Sequence, residues 1–324
     1  MVLVICASAN TRVRGSTWAA VASAQRVDLR APVCHRKPDS MNRIKGIFIL
    51  AYPALVIVIA LVAITMIVDR GPVLSWIGAL VTVLPFLGLQ IRAKSSKKLA
   101  RTSHRLPILS SLTLAGAVLS AYGFMHEGAV DFAPLIAAAI GLVGFFLFDF
   151  WYSTFGRRIG DRLLVGEKLP SFSLEDPDGT VINSESLLGQ PLLLMFYRGN
   201  WCPFCMGQVR EITERYRELI DRGVKVVLVS PQPPDITRRV ADIFRVPFLF
   251  LVDRELSAAR ALDILQKNGV PPGPTAKKFG PDTVLPTVII TDPDGRILFT
   301  DQTRNFRVRP EPKIFFRVLS SNGF

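Results

Sequence analysis

The chain has 324 residues, 49% of them hydrophobic, with a formal net charge of +13, and its four cysteines are too few for a disulfide-dense scaffold. Residues 1–164 hold 18 basic and 7 acidic side chains, whereas residues 165–324 hold 21 and 19, so the excess positive charge lies in one half. Because the mean hydropathy is also positive, at +0.34, this pattern favours a membrane domain with basic flanks over a nucleic-acid-binding surface.

Residues 1–40 are rich in Arg, Ala and Ser and contain only two acids, Asp28 and Asp39. Their composition is similar to that of a transit peptide. Met41, followed by Asn-Arg-Ile-Lys and an apolar run, is typical of the start of a bacterial membrane protein. We favour the second interpretation, in which residues 1–40 are disordered or an upstream mis-start, and we assign no role to Cys6 or Cys34.

Residues 41–160 contain four stretches of the length, about 20 residues, that a helix needs to cross a membrane. The predicted spans are 46–68, 72–91, 107–125 and 129–152. The first three are uncharged, and the fourth carries Asp131 and Asp149 near its ends, where lipid headgroups can solvate them. Four buried helices of a soluble protein are the alternative, which the short charged loops between the stretches disfavour.

The distribution of bases predicts the orientation, because Lys and Arg in short loops resist translocation. Residues 92–106 carry six bases and no acid, and further bases precede the first span and follow the fourth. The other two loops contain one base, Arg70. We therefore expect a multi-pass protein of an inner or plasma membrane, with both ends and residues 165–324 on the cytoplasmic side.

From about residue 165 the pattern becomes that of a soluble α/β domain, predicted to cover 165–324. Two Asp-Pro-Asp-Gly sequences, at 176–179 and 292–295, predict hairpin turns because Pro fixes φ and Gly supplies positive φ. Apolar runs predict buried strands, and helical spacing of apolar residues predicts helices. The predicted strands are 171–174, 180–183, 192–197, 224–229, 248–252, 287–291 and 297–301, and the predicted helices are 203–222, 235–244, 256–265 and 312–319.

The candidate chemistry lies at Trp201-Cys202-Pro203-Phe204-Cys205, directly after a predicted buried strand and at the start of a helix. A helix N-terminus favours a thiolate, so Cys202 is the expected nucleophile. Proline at the helix start loses no hydrogen bond. Cys205, one turn later, can attack a mixed disulfide or a sulfenic acid formed on Cys202 and so resolve it. A zinc site is disfavoured because residues 165–324 contain no histidine and no second cysteine pair.

The run from Phe196 to Cys205, with the later Leu285-Pro286-Thr287, resembles the thioredoxin-fold superfamily, and within it the peroxiredoxin-like redoxins of the alkyl hydroperoxide reductase/thiol-specific antioxidant group. The resemblance covers about residues 165–320. It implies a redox-active Cys202–Cys205 disulfide without a further cofactor or metal, and a cis peptide bond before Pro286, next to Thr287 and facing the dithiol.

Two departures from these families leave the substrate open. Peroxiredoxins carry a Thr or Ser three residues before the reactive cysteine, where this chain has Gly199; thioredoxins carry an acid in the preceding strand, which residues 192–197 lack. Arg198 is close enough in sequence to stabilise a thiolate, although an exposed, solvated arginine is an equal alternative.

Two activities therefore remain open, reduction of protein disulfides and reduction of hydroperoxides, each with an external reductant such as a thioredoxin or glutathione system. A non-catalytic thioredoxin-fold binding module tethered to the membrane is the alternative, and a nucleic-acid partner is not expected. A transmembrane dithiol relay to quinone would require cysteines beside the spans, but residues 41–201 contain none. The spans are therefore interpreted as a lipid anchor or a partner-binding bundle.

Overall fold

The computed structural model describes residues 39–95, 100–128, 130–157 and 161–324. The prediction for residues 1–40, with Cys6 and Cys34, lies outside these residues except at Asp39 and Ser40, where the first helix begins. The described part of the chain comprises four long apolar helices followed by a sheet-rich domain, which confirms the predicted fold class.

The four-helix domain consists of residues 39–152. Its helices are α1 (Asp39–Val68), α2 (Val73–Ser95), α3 (Pro107–His126) and α4 (Ala133–Phe146), and α4 continues as a π-helical segment over Leu147–Tyr152. All four are long and apolar enough to cross a membrane. Their close packing depends on small residues: a Cβ atom on Gly78 of α2 would lie 2.2 Å from the Ser120 nitrogen of α3, so only glycine permits this approach.

The two ends of the four-helix domain differ. At one end Glu127, after α3, accepts hydrogen bonds from the backbone nitrogens of Leu74 and Ser75 at 2.7 and 3.0 Å and so caps α2. At the other end α1 begins, α2 ends, α3 begins and the π-helical segment ends, and all of these face the second domain. Successive helices therefore run in opposite directions, away from and then toward the second domain, as in an up-and-down bundle.

Asp131 and Asp149, both expected at solvated positions, differ in the structure. Asp131 is exposed and accepts a hydrogen bond from the Ala133 nitrogen at 2.9 Å, at the start of α4. The expectation for Asp149 was wrong, because its side chain is 1% exposed and forms an ion pair with Arg307 of the second domain. Burial of the carboxylate is tolerated because a buried guanidinium compensates its charge.

The second domain is built on a seven-stranded sheet with the order β2-β1-β5-β4-β3-β8-β9. The strands of this sheet are β1 (Ser173–Glu175), β2 (Val181–Asn183), β3 (Leu192–Phe196), β4 (Lys225–Ser230), β5 (Leu249–Val252), β8 (Thr287–Thr291) and β9 (Ile297–Asp301); β6 (Leu265–Gln266) and β7 (Thr283–Val284) form a separate pair. Strands β3, β4 and β5 are parallel, and β8 and β9 are antiparallel to their neighbours. Both predicted hairpins, β1–β2 and β8–β9, are present.

Helices cover both faces of the sheet. They are α5 (Pro203–Glu214), α6 (Tyr216–Ile220), α7 (Pro234–Phe244), α8 (Ser257–Ala261), α9 (Pro274–Phe279) and α10 (Pro312–Ser321). Alternate residues of β3 point to opposite faces: Leu193 and Met195 pack with α5, α6, α7 and α10, whereas Leu194 packs with α8. Burial on both faces explains why β3 is a continuous apolar run.

Two predicted helices were too long. The helix predicted at 203–222 breaks at Arg215, whose φ of −111° ends α5 before α6 begins. The helix predicted at 256–265 contains only α8, because Asp263 adopts a φ of +55° and the chain then enters β6. Apolar spacing continues across both breaks, so it did not reveal them.

Candidate active site

The loop from β3 to α5 places the two cysteines. Tyr197 extends β3, and its nitrogen donates to the Val229 carbonyl at 2.9 Å. Gly199 then adopts a φ of +139°, and a Cβ atom there would lie 2.7 Å from the indole nitrogen of Trp201. The position at which peroxiredoxins carry a hydroxyl therefore requires glycine here, since a side chain would be strained and would collide with Trp201.

Cys202 is the N-cap residue of α5 and Pro203 is its first residue. The Cys202 carbonyl accepts a hydrogen bond from the Met206 nitrogen at 3.1 Å, so the helix begins at the reactive cysteine. Both predicted features, a helix start at Cys202 and a proline that loses no hydrogen bond, are observed. The Cys202 sulfur therefore lies at the positive end of the α5 dipole.

The two thiols are buried, unoxidised and in opposite electrostatic states. Cys202 is 3% exposed and Cys205 is 1% exposed. A hydrogen bond from Cys205, helped by Arg198 and Arg309, lowers the pKa of Cys202 to about 6. Burial and the neighbouring Cys202 raise the pKa of Cys205 well above its ordinary value. At neutral pH this pair holds a thiolate on Cys202 and a proton on Cys205.

Arginines supply the positive charge around the dithiol. Arg198 is 8% exposed, donates to the Gly269 carbonyl and lies 4.6 Å from the Trp201 ring. Nη2 of Arg309 lies 4.0 Å from the Cys205 sulfur. Of the two alternatives for Arg198, the buried position beside the thiolate is observed, and the exposed position is not.

A second charged group lies behind the dithiol. Burial raises the pKa of Asp301, and Arg309 and Arg157 counteract that rise. Nη1 of Arg157 donates to the Pro286 carbonyl at 3.2 Å and to the Thr287 hydroxyl at 3.0 Å. Arg157 thus links the start of β8 to Asp301.

The structure contradicts the predicted cis bond before Pro286. No peptide bond in the described ranges is cis, so this one is trans, the favoured state of most X–Pro bonds. Thr287 pairs with Phe196 across β3 and β8. Pro286 and Thr287 therefore lie beside the C-terminal end of β3, where the cysteine loop begins. The Thr287 hydroxyl donates to the Leu285 carbonyl at 2.9 Å.

The four-helix domain covers the dithiol. Phe306 packs edge-on against Phe204 of the cysteine motif, with ring centroids 5.5 Å apart, and against Tyr152 at the end of the π-helical segment, also at 5.5 Å. Tyr152 also lies within electrostatic range of the Cys202 sulfur. Residues from both domains therefore enclose the two sulfurs.

Sequence reasoning identified the two cysteines, Trp201 and Arg198 but missed Arg309, Arg157 and Gln232. The Gln232 side chain accepts from the Asn200 nitrogen at 2.9 Å and donates to the Tyr197 hydroxyl at 3.1 Å, and so fixes the cysteine loop. These residues follow other strands or precede the domain, so only the sheet topology could have indicated them. No cluster of three or more metal-ligating side chains occurs in the described ranges; a metal-free site stays a prediction.

Residues 165–300 match the AhpC/TSA family. Over 150 residues the chain is 28% identical to the thiol-disulfide oxidoreductase ResA of Halalkalibacterium halodurans, which covers 45% of this chain and 74% of that protein. Over 88 residues it is 31% identical to a chloroplastic peroxiredoxin Q of Populus jackii, covering 27% of this chain and 41% of the relative.

Solved structures similar to the chain include peroxidoxin BcpB of Mycobacterium tuberculosis and AhpC of Enterococcus faecalis. The first is 19% identical with a TM-score of 0.40, and covers 48% of this chain and 96% of its own. The second is 20% identical with a TM-score of 0.40, and covers 49% and 92%.

Proposed function

We propose, from the premise that residues 165–300 form a thioredoxin-fold redoxin domain of the AhpC/TSA family, that this chain is a membrane-anchored thiol-disulfide oxidoreductase whose dithiol is Cys202 and Cys205. The observation that carries the proposal is the position of two buried cysteines at the start of one helix, with Cys202 as the N-cap residue of α5 and Cys205 one turn later. In agreement with this geometry, the pKa of Cys202 is lowered and that of Cys205 is raised. A thiolate and a protonated resolving thiol are the two groups that disulfide exchange requires.

In this reaction the Cys202 thiolate attacks one sulfur of a substrate disulfide. A mixed disulfide forms, and the other substrate sulfur leaves as a thiolate, which takes up a proton. Cys205 then loses its proton and attacks the Cys202 sulfur, so the second substrate sulfur leaves and the Cys202–Cys205 disulfide forms. The substrate gains two electrons and two protons, and two equivalents of an external thiol return the dithiol to its reduced form.

The experiment is turnover of a protein disulfide, such as those of insulin, by the full chain in lipid nanodiscs with a thioredoxin or glutathione system as reductant. We expect turnover that disappears in Cys202→Ser, and a trapped mixed disulfide in Cys205→Ser. Turnover that survives Cys202→Ser would exclude the assignment.

A second activity, reduction of a hydroperoxide, is favoured by the burial of both sulfurs, 3% and 1% exposed. A small peroxide needs less access than a folded protein disulfide. The Cys202 thiolate would attack the distal peroxide oxygen, so that an S–O bond forms and the O–O bond breaks. The departing oxygen takes up one proton and leaves as an alcohol, or as water when the substrate is hydrogen peroxide. Cys205 would then attack the sulfenic acid, with release of water.

Stopped-flow oxidation of the full chain by hydrogen peroxide and by an organic hydroperoxide distinguishes this second activity. We expect a sulfenic acid on Cys202, detected by mass spectrometry, in Cys205→Ser after one equivalent of peroxide. An oxidation rate equal to that of a free thiol would exclude hydroperoxide as the substrate. Cysteine-independent behaviour in both assays, with a membrane partner that co-purifies, would favour the binding-module alternative.

The four apolar helices support the membrane anchor, and the clustering of basic flanks supports the orientation. Residues 101–105, which follow α2, and the basic start of α1 both contact the redoxin domain. The basic flanks therefore lie at the redoxin end of the four-helix domain, as placement of that end in the cytoplasm requires. A reporter fused after Phe324 should be active only as a cytoplasmic fusion, and activity confined to the opposite side would overturn the orientation.

A further inference from the structure

Residues 303–310, here called the 303–310 segment, run between the four-helix domain and the dithiol. The chain turns at Asn305–Val308, where the Val308 nitrogen donates to the Asn305 carbonyl at 3.0 Å, and alternate residues are buried: Thr303 is 7% exposed, Asn305 1%, Arg307 0% and Arg309 4%. In contrast, Arg304 is exposed. A basic segment with two fully buried arginines needs specific partners, because an uncompensated buried charge is strongly destabilising.

Arg307 takes its partners from the four-helix domain and the residues that connect its helices. Its guanidinium pairs with the carboxylate of Asp149 in the π-helical segment. Its Nε donates to the Ser153 hydroxyl at 2.9 Å, and its Nη1 donates to the Thr102 hydroxyl at 2.9 Å. Nε of Arg101 also donates to the Arg309 carbonyl, at 3.1 Å. The four-helix domain therefore holds the backbone of the segment from both sides.

Arg309, two residues later, points toward the dithiol. Its Nη2 lies 4.0 Å from the Cys205 sulfur, and its Nε and Nη1 have no hydrogen-bond partner among the described residues. Buried donors without partners are rare in folded proteins and often mark a catalytic or redox role.

We propose that the four-helix domain is part of the redox machinery, because it positions Arg309 beside Cys205 and thereby promotes the attack of Cys205 on oxidised Cys202. In this arrangement Arg309 is a catalytic residue, since it touches a reacting sulfur. Arg307 and Asp149 are positioning residues that act through it. The inference deepens the proposed function, because it concerns the second step of the reaction at the same dithiol.

The second step needs this assistance. Burial raises the pKa of Cys205, and Arg309 is the cation that counteracts the rise. Once Cys202 has been oxidised, it no longer carries the negative charge that interacts with Arg309. The guanidinium can then stabilise a thiolate on Cys205. Arg198, Tyr152 and Tyr197 also interact electrostatically with the two cysteines. Asp301 and Arg157 interact with Arg309 and with each other.

The first test measures the rate of disulfide closure in the full chain in nanodiscs, after one equivalent of hydrogen peroxide or of a small aromatic disulfide, across a range of pH. We expect Arg309→Gln to slow disulfide closure at neutral pH at least about threefold for each unit by which the pKa of Cys205 rises. A higher pKa makes the Cys205 thiolate more nucleophilic, but the fraction of Cys205 present as thiolate falls more steeply. The pH profile should move to higher pH, and Arg309→Lys should restore most of the rate. Arg304→Gln, an exposed arginine in the same segment, is the matched control.

The second test separates the four-helix domain from Arg309. The double variant Asp149→Leu/Arg307→Leu removes both charges and fills their space, an exchange that buried ion pairs often tolerate. We expect it to shift the closure profile in the same direction as Arg309→Gln, while Cys202 is still oxidised, more slowly because Arg309 also helps to lower the pKa of Cys202. If Arg309→Gln does not fold, the closure profile of the double variant supplies the test.

The outcomes are distinct. If Cys202 of the unmodified chain is oxidised by neither reagent, the proposed function fails. If Cys202 is oxidised but closure keeps its rate and pH profile in Arg309→Gln, or in the double variant when Arg309→Gln is unfolded, the inference fails and the proposed function stands. An unchanged profile in the double variant alone overturns the role of the four-helix domain.

Discussion

Two of the contacts between the four-helix domain and the redoxin domain each lead to one of the two arginines beside the dithiol. In the α1 contact, Asn42 and Arg43 bond to Lys267 and Asn268 at 2.7 and 3.3 Å in exposed positions, and the same loop supplies the Gly269 carbonyl that holds Arg198. In the contact at the 303–310 segment, a fully buried ion pair between Arg307 and Asp149 holds the segment that carries Arg309.

The difference between these contacts shows where the domain interface is specified. Water can replace an exposed hydrogen bond, so its net contribution is about 1 kcal/mol or less. A buried charge has no such substitute, so the removal of one partner leaves the other uncompensated. The 303–310 segment, rather than α1, should therefore fix how the four-helix domain and the dithiol are arranged.

The largest effect should come from Asp149→Ala, which leaves Arg307 buried without its carboxylate. We expect a loss of about 3–5 kcal/mol in the free energy of unfolding. Denaturation of the full chain in mixed micelles would measure it, with Asp131→Ala, an exposed acid of the same domain, as the control. A loss similar to that of the control would show that the ion pair is not what distinguishes the contact.

A smaller loss should follow from Ser153→Ala, which removes the hydroxyl that accepts from Nε of Arg307 at 2.9 Å. Because hydrogen bonds to charged groups contribute about 1.5–3 kcal/mol, we expect a loss within that range. The same denaturation measures it, and Ser321→Ala in the exposed end of α10 serves as the control. A neutral result would mean that Asp149 and Thr102 hold Arg307 without help from Ser153.

Arg198→Gln should affect reactivity more than stability. The Arg198 cation favours the Cys202 thiolate, whose pKa is about 6, so its loss should raise that pKa. We expect the midpoint of the alkylation rate of Cys202 against pH to move upward by about one unit, which corresponds to about 1.4 kcal/mol. Arg296→Gln is the control, and an unmoved midpoint would assign the low pKa to Cys205 and Arg309 alone.

The smallest effect should come from Asn42→Ala in the α1 contact. Its exposed hydrogen bond to the Lys267 carbonyl should contribute about 0.5–1 kcal/mol, and the midpoint of Cys202 alkylation should stay in place. Thermal unfolding and the same alkylation assay check both statements. If this variant moved the alkylation midpoint as far as Arg198→Gln does, the α1 contact would control the dithiol as well. The contrast between the α1 contact and the contact at the 303–310 segment would then be wrong.

Local patterns in the sequence determined most of the fold and the centre of the site. An uncharged run of 20 residues, a buried strand or an Asp-Pro-Asp-Gly turn can be recognised within a short window, and the helix start at Cys202 follows from Pro203. One arginine of the site was also identified, since Arg198 lies four residues before Cys202. These features depend only on neighbours in sequence.

The remainder depended on distant partners. Asp149 was placed at a solvated membrane surface because Arg307, 158 residues later, could not be foreseen. Arg309 had no local signal, since nothing in the neighbouring sequence distinguishes it from the exposed Arg304. The bond before Pro286 was assigned as cis from a resemblance, and β6 and β7 are too short, at two residues each, to leave an alternating pattern.

The cover that the π-helical segment provides has a practical consequence for truncated fragments. A soluble piece that starts at Gly166 would keep Arg307 and Phe306 but lose Asp149, Ser153 and Tyr152, so the edge of the molecule that carries Arg309 would become hydrated and free to move. Kinetic constants measured on such a fragment would describe a dithiol that the π-helical segment no longer covers. Only the intact polypeptide, embedded in lipid, would report the chemistry of the enclosed one.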